Sequence, residues 1–135
     1  MIGKIIGPYE VTASIGRGGM TGGYSMYIKG GKLHFDYNFL DGVHYHLTSD
    51  TLPQGKTDLK FDFELTKAFG GTGMLYVNGK KVDEVEMPQM HISTYSLAET
   101  FDIGWDYGTQ VDPDYAGSPF PYTGKLDRVL ITLTD

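Results

Sequence analysis

Leu59-Lys60-Phe61-Asp62-Phe63-Glu64-Leu65 alternates apolar and charged residues without a break. Successive side chains of an extended strand point to opposite faces. Leu59, Phe61, Phe63 and Leu65 therefore face a core, and Lys60, Asp62 and Glu64 face water. The same period of two recurs upstream. Leu33, Phe35, Tyr37 and Phe39 alternate with His34, Asp36 and Asn38, and Tyr24, Met26 and Ile28 alternate with Ser25, Tyr27 and Lys29. Val129, Ile131 and Leu133 give a terminal strand with Thr132 and Thr134 outward. No window long enough for a helix holds a clean 3.6-residue apolar period.

Two hairpins are nearly written out. Gly30-Gly31 separates Lys29 from Lys32, and Asn78-Gly79 separates Met74–Val77 from Lys80–Met87. Both dipeptides accept positive φ at the two central positions, which a type I′ turn demands. Further strands are expected at Tyr9–Ile15, Val43–Thr48 and Thr100–Trp105. Together these make about nine short strands separated by turn signals, the pattern of an all-β, two-sheet antiparallel β-sandwich. The 135 residues read as one domain, with residues 1–8 a tail or the remnant of a preceding element. Tyr107–Thr123 carries Pro113, Pro119 and Pro121 and lacks alternation, so it is expected to be a long ordered loop.

Composition removes several functions. There is no cysteine, hence no disulfide, thiolate nucleophile or thiolate metal site. No apolar run reaches the roughly 20 residues of a membrane helix. The net charge is −6, and from Val82 to Gly124 there is no Lys or Arg, while Asp83, Glu84, Glu86, Glu99, Asp102, Asp106, Asp112 and Asp114 fall there. Nucleic-acid binding depends on Lys and Arg at phosphates, so it is excluded as the expected partner. A bound cation or a basic protein surface fits the balance better.

Three constellations carry chemistry. His44 and His46 share one strand face, with His34 and His91 as further imidazoles. A cupin-type metal site would also need a glutamate shortly after, where Asp50 stands, so a wet strand face is the plainer reading. Glu84 and Glu86 also share a face, at the roughly 7 Å spacing that glycosidases use. They lack the Glu-Asp-Glu order of sandwich-fold glucanases and follow a hairpin, where outward charges are expected. The third constellation is Asp102, Asp106, Asp112 and Asp114 with Trp105, Tyr107, Tyr115 and Tyr122. Its carboxylates suit calcium, and the alternative is turn capping with no cofactor. Its aromatics suit a sugar ring or a packing interface. No Gly-x-Ser-x-Gly elbow is present, and Gly16, Gly18 and Gly19 do not open a helix as a phosphate loop must.

Five segments resemble the C-terminal domain of large bacterial arylsulfatases. They are Gly22–Leu33 running on to Tyr37-Asn38-Phe39, Leu52–Lys56 with Leu59–Phe63, Gly73–Val82, Glu99–Gly104, and Asp114-Tyr115 with Pro119–Gly124. The resemblance runs from about Val11 to Leu133. It implies a concanavalin A-like jelly roll appended to an alkaline-phosphatase-like catalytic domain. That catalytic domain makes formylglycine from a Cys/Ser-x-Pro-x-Arg motif, which this chain lacks; its only arginines are Arg17 and Arg128. The implied role is therefore accessory and non-catalytic, with the sulfatase catalytic domain or a second copy as partner and carbohydrate as the alternative ligand. Periplasmic or extracellular location follows only if the parent enzyme is exported. The family's domain begins with a strand ahead of Tyr9, so a sheet edge left open there would invite dimerisation.

Overall fold

The computed structural model describes residues 2–8, 15–19, 22–39, 42–90, 101–103, 105–106, 111–115, 120–121 and 124–132. All regular structure among them is β, and none of it is a helix that could cross a membrane. The strands are β1 (Ile2–Pro8), β2 (Ile15–Gly19), β3 (Gly22–Lys29), β4 (Lys32–Asn38), β5 (His44–Thr51) and β6 (Lys56–Lys67). They continue with β7 (Gly70–Val77), β8 (Lys80–Met87), β9 (Phe101–Ile103), β10 (Trp105–Asp106), β11 (Phe120–Pro121) and β12 (Arg128–Thr132). One antiparallel sheet has the order β12-β1-β6-β7-β8, and a second has the order β5-β4-β3-β2-β9. β10 and β11 form a separate short pair.

These twelve strands exceed the nine expected from alternation. The strand expected at Thr100–Trp105 is described as two short pieces, β9 and β10, and β11 falls inside the stretch expected to be a loop, being only two residues long and too short to show a period. Residues 1–8, expected as a tail or remnant, contain a full strand: β1 pairs with β12 on one side and β6 on the other. Gly3 and Gly7 interrupt its apolar pattern, which hides it from a search for alternation. The edge expected to lie open ahead of Tyr9 is thus an interior position of the first sheet. Of the strand expected at Tyr9–Ile15, residues 9–14 lie outside the described residues.

One core joins the two sheets. Met26, Ile28, Leu33, Phe35, Tyr37 and Leu47 enter it from the second sheet, and Leu59, Phe61, Leu75 and Met87 from the first. Phe35 and Phe61 stack across the gap with ring centroids 3.5 Å apart. A Cβ on Gly73 would stand 3.0 Å from the Phe61 ring and 2.7 Å from the end of Met87, so the bare backbone there makes room for that stack. Burying one such ring contributes roughly 1.5–3 kcal/mol. The expected alternation of β6 holds through Phe63 and then runs past the core, leaving Leu65 65% exposed.

Both expected hairpins form. Gly30 and Gly31 have φ of 59° and 72°, and Asn78 and Gly79 have 51° and 79°. The Asn78 carboxamide also accepts the Asp58 backbone N–H at 2.9 Å, tying the β7–β8 turn to β6. At the far edge the two sheets are linked directly, since Asp83 of β8 accepts the Thr48 N–H of β5 at 2.9 Å. A register shift between Lys32 and His34 leaves the Leu33 N–H off the ladder, and the Ser49 hydroxyl accepts it at 2.9 Å.

Candidate functional site

With Met26, Ile28, Leu33, Phe35 and Leu47 turned into the core, their neighbours along each strand must emerge on the other face of the second sheet. β3 contributes Tyr27 and Lys29, β4 contributes His34 and Asp36, and β5 contributes His44 and His46. The β3–β4 register sets Tyr27 beside His34 and Ser25 beside Asp36, and the β4–β5 register sets Asp36 beside His46. Onto this polar strip comes the segment 111–115. Val111, Asp112 and Tyr115 are buried against it.

The resulting network is continuous. His44 Nδ1 donates to Asp36 Oδ2 at 2.6 Å. His46 Nδ1 lies 3.2 Å from Asp112 Oδ2 and 3.5 Å from Asp36 Oδ1, so one imidazole bridges two carboxylates. The Tyr27 hydroxyl donates to Asp112 Oδ2 at 2.6 Å, and the Asp114 N–H donates to Asp112 Oδ1 at 2.8 Å. Lys29 pairs with the Asp114 carboxylate at 2.9 Å and also donates to the Asp114 carbonyl. The Tyr27 ring lies flat on His34, with centroids 5.0 Å apart, and meets Tyr115 edge-on at 4.8 Å.

Proton positions follow from the partners. His34 Nε2 faces the Lys29 carbonyl at 3.2 Å, which can only accept, so that nitrogen carries the proton. Its Nδ1 is then the acceptor for His46 Nε2–H at 3.2 Å. Burial lowers the His34 pKa and keeps the ring neutral, the backbone hydrogen bond to Lys29 only partly opposing it. His46 donates from both nitrogens and is an imidazolium. Its hydrogen bonds to Asp112 and then Asp36 raise its pKa to about 9. Burial alone would raise the Asp112 pKa, but the hydrogen bonds from His46 and Tyr27 prevail and lower it to about 2. The Lys29 hydrogen bond likewise lowers that of Asp114. Burial, with the hydrogen bond to the Asp112 carboxylate, pushes the Tyr27 phenol far up, so it stays a donor.

The expected site residues divide. Asp112 and Asp114 come together, but each carboxylate already meets a cationic side chain. Asp112 Oδ2 is shared between the His46 imidazole and the Tyr27 hydroxyl, so a nitrogen stands where calcium would ask for one more oxygen. The side chains of Asp102, Trp105 and Asp106 lie outside the described residues, as do Tyr107 and Tyr122 entirely. Tyr115 is 1% exposed, so it is a plug beneath the loop and not an open stacking surface for sugar. His44 and His46 share a face as expected, while His91 lies outside the described residues. Glu84 and Glu86 are exposed and engaged, by Lys81 at 2.5 Å and by the Thr72 hydroxyl at 2.6 Å.

Asp36, Tyr27 and Lys29 belong to the site although no motif marks them. Their signal lies in the hairpin. A two-residue Gly30-Gly31 turn fixes which residues of β3 and β4 face each other, and so places Tyr27, His34, Ser25 and Asp36 on one polar strip. The approach of Asp112 has no such signal, because nothing local dictates where a loop that far along the chain will land.

No family model, no curated protein and no solved structure matches the chain.

Proposed function

We propose that the chain is a non-catalytic accessory domain of concanavalin A-like, jelly-roll sandwich architecture, belonging to an arylsulfatase-type sulfuric ester hydrolase and packing on its catalytic domain or on a second copy. The carrying observation is how the chemically capable residues are occupied. Asp36, His44, His46, Asp112, Tyr27 and Lys29 hold one another and seat the segment 111–115 on the sheet. A general base needs a free lone pair aimed at a substrate proton. The central imidazole of this network has both nitrogens donating to protein partners, and the tyrosine beside it is buried and protonated. Two sheets sharing one core are the frame such a domain requires. The five sequence segments that resemble sulfatase C-terminal domains supply the choice of parent enzyme.

The test has two arms. Purified chain incubated with an aryl sulfate is expected to give no turnover above the buffer rate. The same chain mixed with a bacterial arylsulfatase core stripped of its own C-terminal domain is expected to co-elute with it and to raise its Tm. Turnover by the chain alone would overturn the non-catalytic reading. Failure to associate, together with calorimetric heat on a sulfated or neutral glycan, would replace it with a carbohydrate-binding module.

A further inference from the structure

We propose that Asp36, His46 and Asp112 form a binding site for one divalent first-row transition-metal cation, which fastens the segment 111–115 to the outer face of the second sheet. One ligand atom from each of the three residues lies within 4.8 Å of the others. The two bridging separations are 3.2 Å and 3.5 Å. Metal–ligand bonds of about 2.0–2.2 Å place neighbouring donors of a tetrahedron roughly 3.3–3.6 Å apart. The three side chains therefore stand close to the spacing a cation would impose, with His46 Nδ1 as the shared vertex.

The surroundings match what metal ligands require. A ligating carboxylate is normally held through its other oxygen or by a donor behind it. Asp36 has His44 on Oδ2 at 2.6 Å, and Asp112 has the Asp114 N–H on Oδ1 at 2.8 Å, while the Tyr27 hydroxyl donates at 2.6 Å to Oδ2, the oxygen that faces His46. These bonds hold both carboxylates in place, leaving mainly the imidazole to adjust. Asp36 and Asp112 are buried, whereas the His46 side chain is 38% exposed. The cluster thus has one open side, by which an ion can enter and where water can complete the coordination.

Donor chemistry selects the class of ion. One imidazole nitrogen with two carboxylate oxygens suits Zn2+, Mn2+, Fe2+ or Ni2+. Calcium asks for six to eight oxygens and magnesium retains its water. Charge balances as well. Two carboxylates and one imidazolium sum to −1. Exchange of the His46 Nδ1 proton for a divalent ion brings the cluster to zero, with that proton released to solvent.

Calorimetric titration of EDTA-treated, dialysed chain with ZnCl2 tests this. One Zn2+ per chain and a raised Tm are expected, with no heat from CaCl2 or MgCl2. His46→Gln and Asp112→Asn should each weaken Zn2+ binding tenfold or more, while His91→Ala binds as the unaltered chain does. Absence of zinc heat overturns the proposal. So does undiminished binding in His46→Gln and Asp112→Asn, which would mean adhesion to other histidines. If either variant loses the β circular-dichroism signal, Co2+ added to the unaltered chain decides. Intense visible absorption of a four-coordinate ion supports the site, and the weak spectrum of six-coordinate aqueous cobalt overturns it.

Discussion

Asp112 shows how one side chain comes to matter in this molecule. It is buried, it accepts from Tyr27 at 2.6 Å, and it faces the His46 imidazolium at 3.2 Å. Removing it leaves the buried phenol with only its 3.2 Å bond to Asp114, and the imidazolium with only the longer 3.5 Å contact to Asp36. Leaving a buried donor unmet costs about 1–3 kcal/mol, more beside a charge. Asp112→Ala in the metal-free protein is therefore expected to lower unfolding free energy by about 2–3 kcal/mol in urea titrations. Asp50→Ala, on an exposed strand position, should stay within about 0.5 kcal/mol. Tyr27→Phe keeps the ring on His34 and removes only the hydroxyl, so a loss near 1 kcal/mol is expected. A Tyr27→Phe effect as large as that of Asp112→Ala would mean that the phenol, and not the imidazolium, dominates the carboxylate's energetics.

At the scale of elements, β6 carries the register of the whole first sheet. Phe61→Asp would put a carboxylate against the Phe35 ring in the buried core, and is expected to cost more than about 4 kcal/mol and abolish the cooperative transition. Lys60→Asp breaks an exposed-side pair with Asp62 at 3.0 Å and the cation–π contact with Tyr76, a loss of about 1 kcal/mol or less. Equal effects in thermal denaturation would contradict the register. Asn78→Ala removes both a residue tolerant of φ 51° and the acceptor for the Asp58 N–H, so about 1–2 kcal/mol is expected. β6, the two glycine-containing hairpins and the loop nature of 111–115 are legible in the sequence because each has a local cause. β1 is not, since glycines break its alternation. The turn between β6 and β7 is not, since Ala68-Phe69 carries no turn chemistry. The candidate site is half legible: His44 with His46, and Asp112 with Asp114, each stand out as pairs. Their meeting over Asp36 depends on how a distant segment docks, and no local rule encodes that.

For the whole molecule, the network on the second sheet makes stability depend on pH in two directions. His46 rises to about 9 in the folded protein from 6.5, so its contribution is fully present below 6.5 and is lost as pH climbs through about 9. Asp112 falls to about 2 from 3.8, so its contribution is present above 3.8 and is lost as pH drops toward 2. Both belong to one ion pair, and the plateau lies between 3.8 and 6.5. The Tm of metal-free protein should therefore decline from pH 6.5 to 9, and His46→Gln should flatten that decline; parallel curves would contradict the assignment. The chemistry-bearing residues of this chain are, on this account, committed to holding its loop on its sheet. Histidine-resolved NMR titration of the metal-free protein tests that most directly. The prediction is a His46 ring protonated on both nitrogens at neutral pH and titrating near 9, beside a neutral His34 protonated on Nε2. A His46 ring titrating at the ordinary 6.5 would mean that the loop does not sit on the sheet as described, and would contradict the account.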